Sequence, residues 1–279
     1  MPFRSVLYVP ASNARALQKA RGLPCDAMIL DLEDAVAPAA KPEARAALRA
    51  HLSADAPDGR PRLVRINALS TPWGAEDLAA LSGTAPEGIL VPKVSAPGDL
   101  DAVAAQSDLP LWAMIETARG VIEAPAICAH PALAGIVMGT NDLARELGAR
   151  SRPDRLPLMS ALQGALMAAR MAGITAIDGV CNALDDPDRL AAECAQGRDL
   201  GFDGKSLIHP AQIAAANAAF APGADEIDLA RRRIAAHEAV LAAGQGVAVV
   251  DGEIVESLHV EAARATLAFA RDIEGEAGA

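Results

Sequence analysis

Short apolar runs alternate along the chain with Ala-rich stretches of helical spacing, and the alternation repeats eight times before residue 210. The apolar runs predict strands over residues 6–10, 27–33, 63–67, 88–94, 111–117, 135–140, 175–180 and 205–209. Between and after them the spacing predicts helices over 13–21, about 41–52, 75–81, about 121–129, 158–171, 187–200 and 211–220, with one more opened by Pro97 to Asp99. The strand runs are continuously apolar rather than alternating, which is the pattern of a parallel sheet covered by helices. Eight such units before residue 210 fit a (β/α)8 TIM barrel, which typically needs about 250 residues. An open doubly wound sheet is the alternative α/β arrangement. It is disfavoured because no GxGxxG follows a strand and the first turn, Pro10-Ala11-Ser12-Asn13, lacks the glycines a dinucleotide requires.

Beyond the eighth unit the pattern changes. It predicts a helix over 225–243 with Arg231, Arg232 and Arg233 on its polar side, a hairpin over 246–254 turning at Asp251-Gly252, and a last helix over 259–271. This helix-hairpin-helix extension exceeds what barrel closure requires. The expected organisation is a catalytic barrel over 1–222 and an extension over 223–279 serving as lid and oligomer contact.

Composition narrows the functional classes. Two Trp, one Tyr and four Phe among 52% hydrophobic residues leave an apolar fraction of small helix formers, which argues against an all-β fold. A formal charge of −11 and the lack of any basic run make nucleic acid and anionic membrane poor partners, so a small molecule is expected. Cys25, Cys128, Cys181 and Cys194 have neither CxxC nor zinc-type spacing and read as buried hydrophobes of a reducing compartment. With no signal-type segment or long uncharged run, the expected location is cytoplasmic.

In a (β/α)8 barrel the chemistry sits at the carboxyl ends of the strands, so the polar residues that close each apolar run are the informative ones. They are Asp31-Leu32-Glu33-Asp34, Arg65-Ile66-Asn67, Pro92-Lys93, Glu116-Thr117, Gly139-Thr140-Asn141-Asp142, Asp178 and His209. Carboxylates converging on one rim raise one another's pKa unless a cation neutralises them. Glu116 and Asp142 close neighbouring strands, and two hard oxygen ligands suit Mg2+, which keeps waters and substrate oxygens in its other positions. The alternative is that Asn141-Asp142 caps a helix. Arg65 could pair with Glu33 or Asp34, or could grip a substrate carboxylate with its planar fork. Lys93 could form a Schiff base if desolvated, or pair with Glu116. His209, followed by Pro210, could shape a turn or enter the chemistry.

Arg4-Ser5-Val6-Leu7-Tyr8-Val9-Pro10, Lys19-Ala20, Asp31-Leu32-Glu33-Asp34-Ala35-Val36 with Lys41 and Ala44-Arg45, Arg65-Ile66-Asn67, Pro92-Lys93, Glu116-Thr117, Gly139-Thr140-Asn141-Asp142 and Gly201-Phe202-Asp203-Gly204-Lys205 through Ile208-His209-Pro210 follow one another in that order. Together they resemble the citrate lyase β-subunit (CitE-like) family of the HpcH/HpaI aldolase superfamily over nearly the whole chain. The resemblance implies a Mg2+-dependent carbon–carbon lyase of the aldol or Claisen type, acting on citryl-, malyl- or citramalyl-CoA, and a homotrimer or dimer of trimers. By position it implies Glu116 and Asp142 as metal ligands, with Glu116 also at the substrate, and Arg65 as carboxylate clamp. Tyr8, Lys19, Ile208 and His209 fall along the CoA moiety. The family's acid/base Asp, delivered by a neighbouring subunit, falls on Glu256, in a stretch that lacks the usual Pro. Asn13 stands where relatives carry a basic residue. Two alternatives are a Schiff-base aldolase using Lys93 and a non-catalytic acyl-thioester-binding subunit of a larger lyase complex.

Overall fold

The structure, a computed structural model, describes residues 2–53, 59–244 and 246–277. Eight parallel strands close into a barrel: β1 (Ser5–Pro10), β2 (Ala27–Asp31), β3 (Arg62–Arg65), β4 (Gly88–Val91), β5 (Leu111–Ile115), β6 (Leu133–Met138), β7 (Thr175–Asp178) and β8 (Gly204–Leu207). β8 returns to β1 with Ser5 opposite Lys205, which completes the (β/α)8 barrel read from the sequence. The helices between strands are α1 (Ala14–Ala20), α2 (Lys41–Ser53), α3 (Gly74–Ala80), α4 (Pro97–Ala104), α5 (Ala118–Ile122), α6 (Ala124–Cys128), α7 (Thr140–Glu146), α8 (Met159–Ala172) and α9 (Pro187–Leu200). α10 (Ile213–Phe220) follows β8.

Successive strand residues point alternately inward and outward, so each strand serves two cores. Outward residues such as Leu7, Met28, Val64 and Ile136 pack against the helices in the large outer core. Inward residues Val6, Ile29, Leu63, Leu90, Trp112, Val137 and Ile177 fill the barrel itself. The same inward register, continued toward the carboxyl ends, carries Tyr8, Asp31, Arg65 and Glu116. The barrel interior therefore changes from apolar plug to polar mouth within one or two residues of each strand.

Strands end sooner than their apolar runs do. β2 stops at Asp31 because its carboxylate accepts the Glu33 and Ala35 N–H groups at 2.9 and 3.1 Å, turning the chain. β5 stops at Ile115, and the Thr117 hydroxyl caps α5 by accepting from Gly120 N–H. The helix expected over 121–129 divides into α5 and α6, with Pro125 in the first turn of α6. α7 enters the sequence reading only as the helix of the capping alternative. Its N-cap is Gly139, and neither Asn141 nor Asp142 caps it.

The chain divides into two compact units, Phe3–Phe220 and a C-terminal unit from Ala221 onward. Within the latter, α11 (Ala224–Ala242) and α12 (Ser257–Ala277) pair, and a hairpin of β9 (Ala248–Val250) and β10 (Glu253–Val255) packs Ala248 and Val255 against them. Its turn residues Asp251 and Gly252 both have positive φ, 55° and 85°, as a two-residue hairpin turn with right-handed strand twist demands. All four cysteines are buried, and burial pushes the Cys128 and Cys194 thiols up to about 11. Among the described residues no helix is long and apolar enough to cross a membrane.

Candidate active site

A cavity of about 310 Å³ opens at the carboxyl ends of the barrel strands. Its polar wall includes Tyr8, Asp31, Asp34, Arg65, Glu116 and Asp142, and its apolar wall includes Met114, Met138, Val180 and Ile208.

Glu116 is the most constrained of these groups. It is 1% exposed; Oε1 accepts the Lys93 backbone N–H at 2.8 Å, while Oε2 is buried with no hydrogen-bond partner among the described residues. Burial, then the nearby charge of Glu33, pushes its pKa up to about 8, and Asp142 adds to the same effect. The space Oε2 occupies exists because residue 139 is glycine: a Cβ there would lie 2.5 Å from it. An orphaned, buried carboxylate oxygen is costly unless a proton or a cation meets it. Asp142 reaches the same cavity from the first turn of α7 and pairs on its other side with Arg145. Among the described residues no three His, Cys, Asp or Glu side chains cluster as a metal cage, so Glu116 and Asp142 are a two-carboxylate set. That set, with its open oxygen, fits Mg2+, which retains several non-protein ligands.

Arg65 is locked rather than mobile. Its Nε and Nη2 donate to the two Asp31 oxygens at 2.7 and 2.6 Å, Nη1 contacts Glu33 at 2.9 Å, and the guanidinium lies 4.9 Å from the Tyr8 ring centroid. The pairing expected with Glu33 or Asp34 is therefore led by Asp31, with Asp34 at 3.7 Å. Asp31, named among the strand-end residues but given no role from the sequence, shares the inward register of Ala27 and Ile29. Tyr8 directs its hydroxyl to Met114 Sδ at 3.8 Å, and burial raises its pKa.

Lys93 does not pair with Glu116 through its side chain, as one reading had it. Its Nζ donates to Glu33 Oε1 at 2.5 Å. Burial works to lower the Lys93 pKa, but the hydrogen bond to Glu33 and the charges of Glu33 and Glu116 outweigh it, so the amine is held protonated. This opposes Schiff-base chemistry, which needs the free base. Asp178 was another strand-end candidate and does not line the cavity. It faces outward, fully buried, and pairs with Arg155 and Lys205.

The remaining expected residues scatter. Ile208 lines the cavity, 41% exposed. His209 is outside the lining and takes the turn role, its Nδ1 accepting from Ala211 N–H. Lys19 is exposed on the last turn of α1. Glu256 belongs to the C-terminal unit, exposed immediately before α12, with its backbone N–H donating to His259 Nδ1. One support went unread in the sequence: buried Lys41 donates to the Leu32 and Glu33 carbonyls and to Asn67 Oδ1, tying the rims after β2 and β3 together.

Comparison with known proteins gives the family and the fold. The model of the HpcH/HpaI aldolase/citrate lyase family matches residues 4–210. The chain is 58% identical over 273 residues to a (3S)-malyl-CoA thioesterase of Cereibacter sphaeroides, covering 98% of this chain and 96% of that protein. It is 34% identical over 280 residues to the citrate lyase subunit beta of Escherichia coli, covering 96% and 93%. The crystal structure of CitE from Mycobacterium tuberculosis in complex with magnesium, acetoacetate and coenzyme A superposes with a TM-score of 0.84 at 34% identity, covering 96% of this chain and 97% of that one. The chain belongs to the HpcH/HpaI aldolase/citrate lyase family.

Proposed function

We propose that the protein is a Mg2+-dependent enzyme that cleaves or forms the carbon–carbon bond of a 3-hydroxyacyl-CoA such as malyl-CoA. The observation that carries this reading is the buried, unpartnered Oε2 of Glu116 on the same cavity as Asp142. Glu116 and Asp142 are the residues that would hold the ion. When bound, Mg2+ would supply Lewis-acid stabilisation of the negative charge left as the 3-hydroxyl proton is removed, on the oxygen that becomes the keto-acid carbonyl.

The chain's own groups do the rest. Arg65, fixed by Asp31 and Tyr8, offers a preorganised cation to the substrate carboxylate and needs no reorganisation as charge develops. Val180, Met114 and Ile208 give the carbon chain an apolar wall. Lys19 and the Ile208–His209 turn are assigned to the CoA portion, and Glu256 of a neighbouring subunit to proton transfer at the bond that breaks. A homotrimer or dimer of trimers is the assembly this reading carries, checked by light scattering.

The experiment is product analysis with (3S)-malyl-CoA. Carbon–carbon cleavage yields glyoxylate and acetyl-CoA, both lost with EDTA and restored by Mg2+. A second reading, hydrolysis of the thioester to malate and free CoA, is favoured by the 58% identity to a (3S)-malyl-CoA thioesterase. Binding without either product set would leave the non-catalytic subunit.

A further inference from the structure

Beside the candidate active site lies a second cavity of about 240 Å³ with a different chemistry. Arg150, Arg152, Arg155 and Arg189 all line it, against one carboxylate, Glu193. Such a concentration of guanidinium groups stands out in a chain of formal charge −11. Their environments differ. Arg155 is 6% exposed and fully engaged: it donates to both Asp178 oxygens, to Gln196 and to the Glu193 carbonyl. It also holds a left-handed backbone, φ 52°, which a non-glycine residue sustains only when its surroundings over-determine it. Arg155 therefore anchors its loop on the barrel and gives Arg150 and Arg152 a fixed base. Arg189 is held by Glu193 at 3.0 Å, and Arg152 by Asp154 at 2.6 Å. Arg150 has no hydrogen bond or ion pair among the described residues, and the neighbouring Ser151 hydroxyl is equally uncommitted.

We propose that this second cavity is a binding site for a small oxyanion, a compact carboxylate- or phosphate-bearing molecule, gripped by Arg150 with Arg152 and Arg189. Guanidinium forks match the oxygens of both groups, and Ser151 and Asn182 add neutral donors at the same wall. The volume suits an anion of a few heavy atoms and is too small for a nucleotide or CoA. The site is distinct from the acyl cavity but adjoins it. Thr140, Asn141 and Val180 line both, and Asn141 is joined to Asn182 by reciprocal amide hydrogen bonds at 3.3 and 2.6 Å.

The test is calorimetric titration of the full-length protein with inorganic phosphate and, separately, succinate, at low ionic strength where such contacts are least screened. Saturable binding of at least one is expected, weakened about tenfold or more in Arg150→Ala, since a charge-assisted fork is lost. Phosphate binding the tighter would point to a phosphate-bearing ligand, and succinate to a carboxylate-bearing one. Arg150 has no partner to lose, so its variant keeps the fold; Arg189→Gln is the second variant, read alongside a melting curve. Glu116→Gln is expected to leave the titration unchanged. Saturable binding of neither probe by the wild type, or equal binding by Arg150→Ala, would overturn the proposal. So would loss in Glu116→Gln with Arg150→Ala unaffected, which would place the anion in the acyl cavity.

Discussion

Glu116 sits where an ionised carboxylate is hardest to keep, and the consequence can be read in stability as well as in activity. An unfolded glutamate ionises near its usual value of 4.5, whereas burial raises the folded one to about 8. The folded state thus resists the ionisation that the unfolded state accepts, so stability from this group falls as pH rises through that window. Glu116→Gln removes the penalty. In metal-free protein the variant should melt higher than wild type at pH 8, with the gap closing toward pH 5 and on addition of Mg2+, while product formation is lost. Differential scanning calorimetry at the two pH values, with and without metal, checks both halves. Gly139→Ala tests the same carboxylate from the other side. Its Cβ would lie 2.3 Å from Glu116 Cβ and 2.5 Å from Oε2, so the end of β5 must shift; a displacement of about 1 Å should cost roughly a hundredfold in kcat/KM, and the overpacking should lower the melting temperature as well.

At the scale of elements, the rims after β2 and β3 are held by side chains that no local pattern reveals. Lys41, on α2, satisfies three acceptors, and Asn67 in turn donates to Asp77 on α3 through its backbone and side chain. Lys41→Met leaves those acceptors buried without their donor and should destabilise the protein by about 2–4 kcal/mol, measured by urea unfolding. The β-α rhythm, the closing strand and the hairpin turn were all legible in the sequence, because hydrophobic period and turn chemistry are local. Glu116, Asp142 and Arg65 were legible as the polar residues closing apolar runs. Asp31 as the partner of Arg65, Glu33 as that of Lys93 and Lys41 as the rim support were not, since the first depends on the β2–β3 register and the others on how side chains reach between strand-end loops. α7 was legible only as the helix of the capping alternative, with its start misplaced, because Thr140-Asn141-Asp142 reads as a turn and tertiary packing of Leu143 overrides that weak local preference.

For the molecule as a whole, closure of the barrel depends on filling its interior with few aromatic residues. Trp112 carries much of that load. It is 4% exposed, packs at a tilt of 48° on Phe3 with ring centroids 5.4 Å apart, and is accommodated by Gly135, where any Cβ would strike its ring. Trp112→Ala should cost about 3–5 kcal/mol in equilibrium unfolding, because the cavity lies in a ring of strands that cannot collapse inward.

The shared inward register of plug and mouth has a further consequence. On β5, Trp112, Met114 and Glu116 follow one another at every second position, so the chemistry and the core are written on a single face of the same ribbon. A one-residue slip of that ribbon would turn Trp112 and Glu116 together into the helix-covered core and bring Leu111, Ala113 and Ile115 into the barrel. Packing and chemistry would then fail in one step, so a register-shifted barrel could not be well packed and merely inactive.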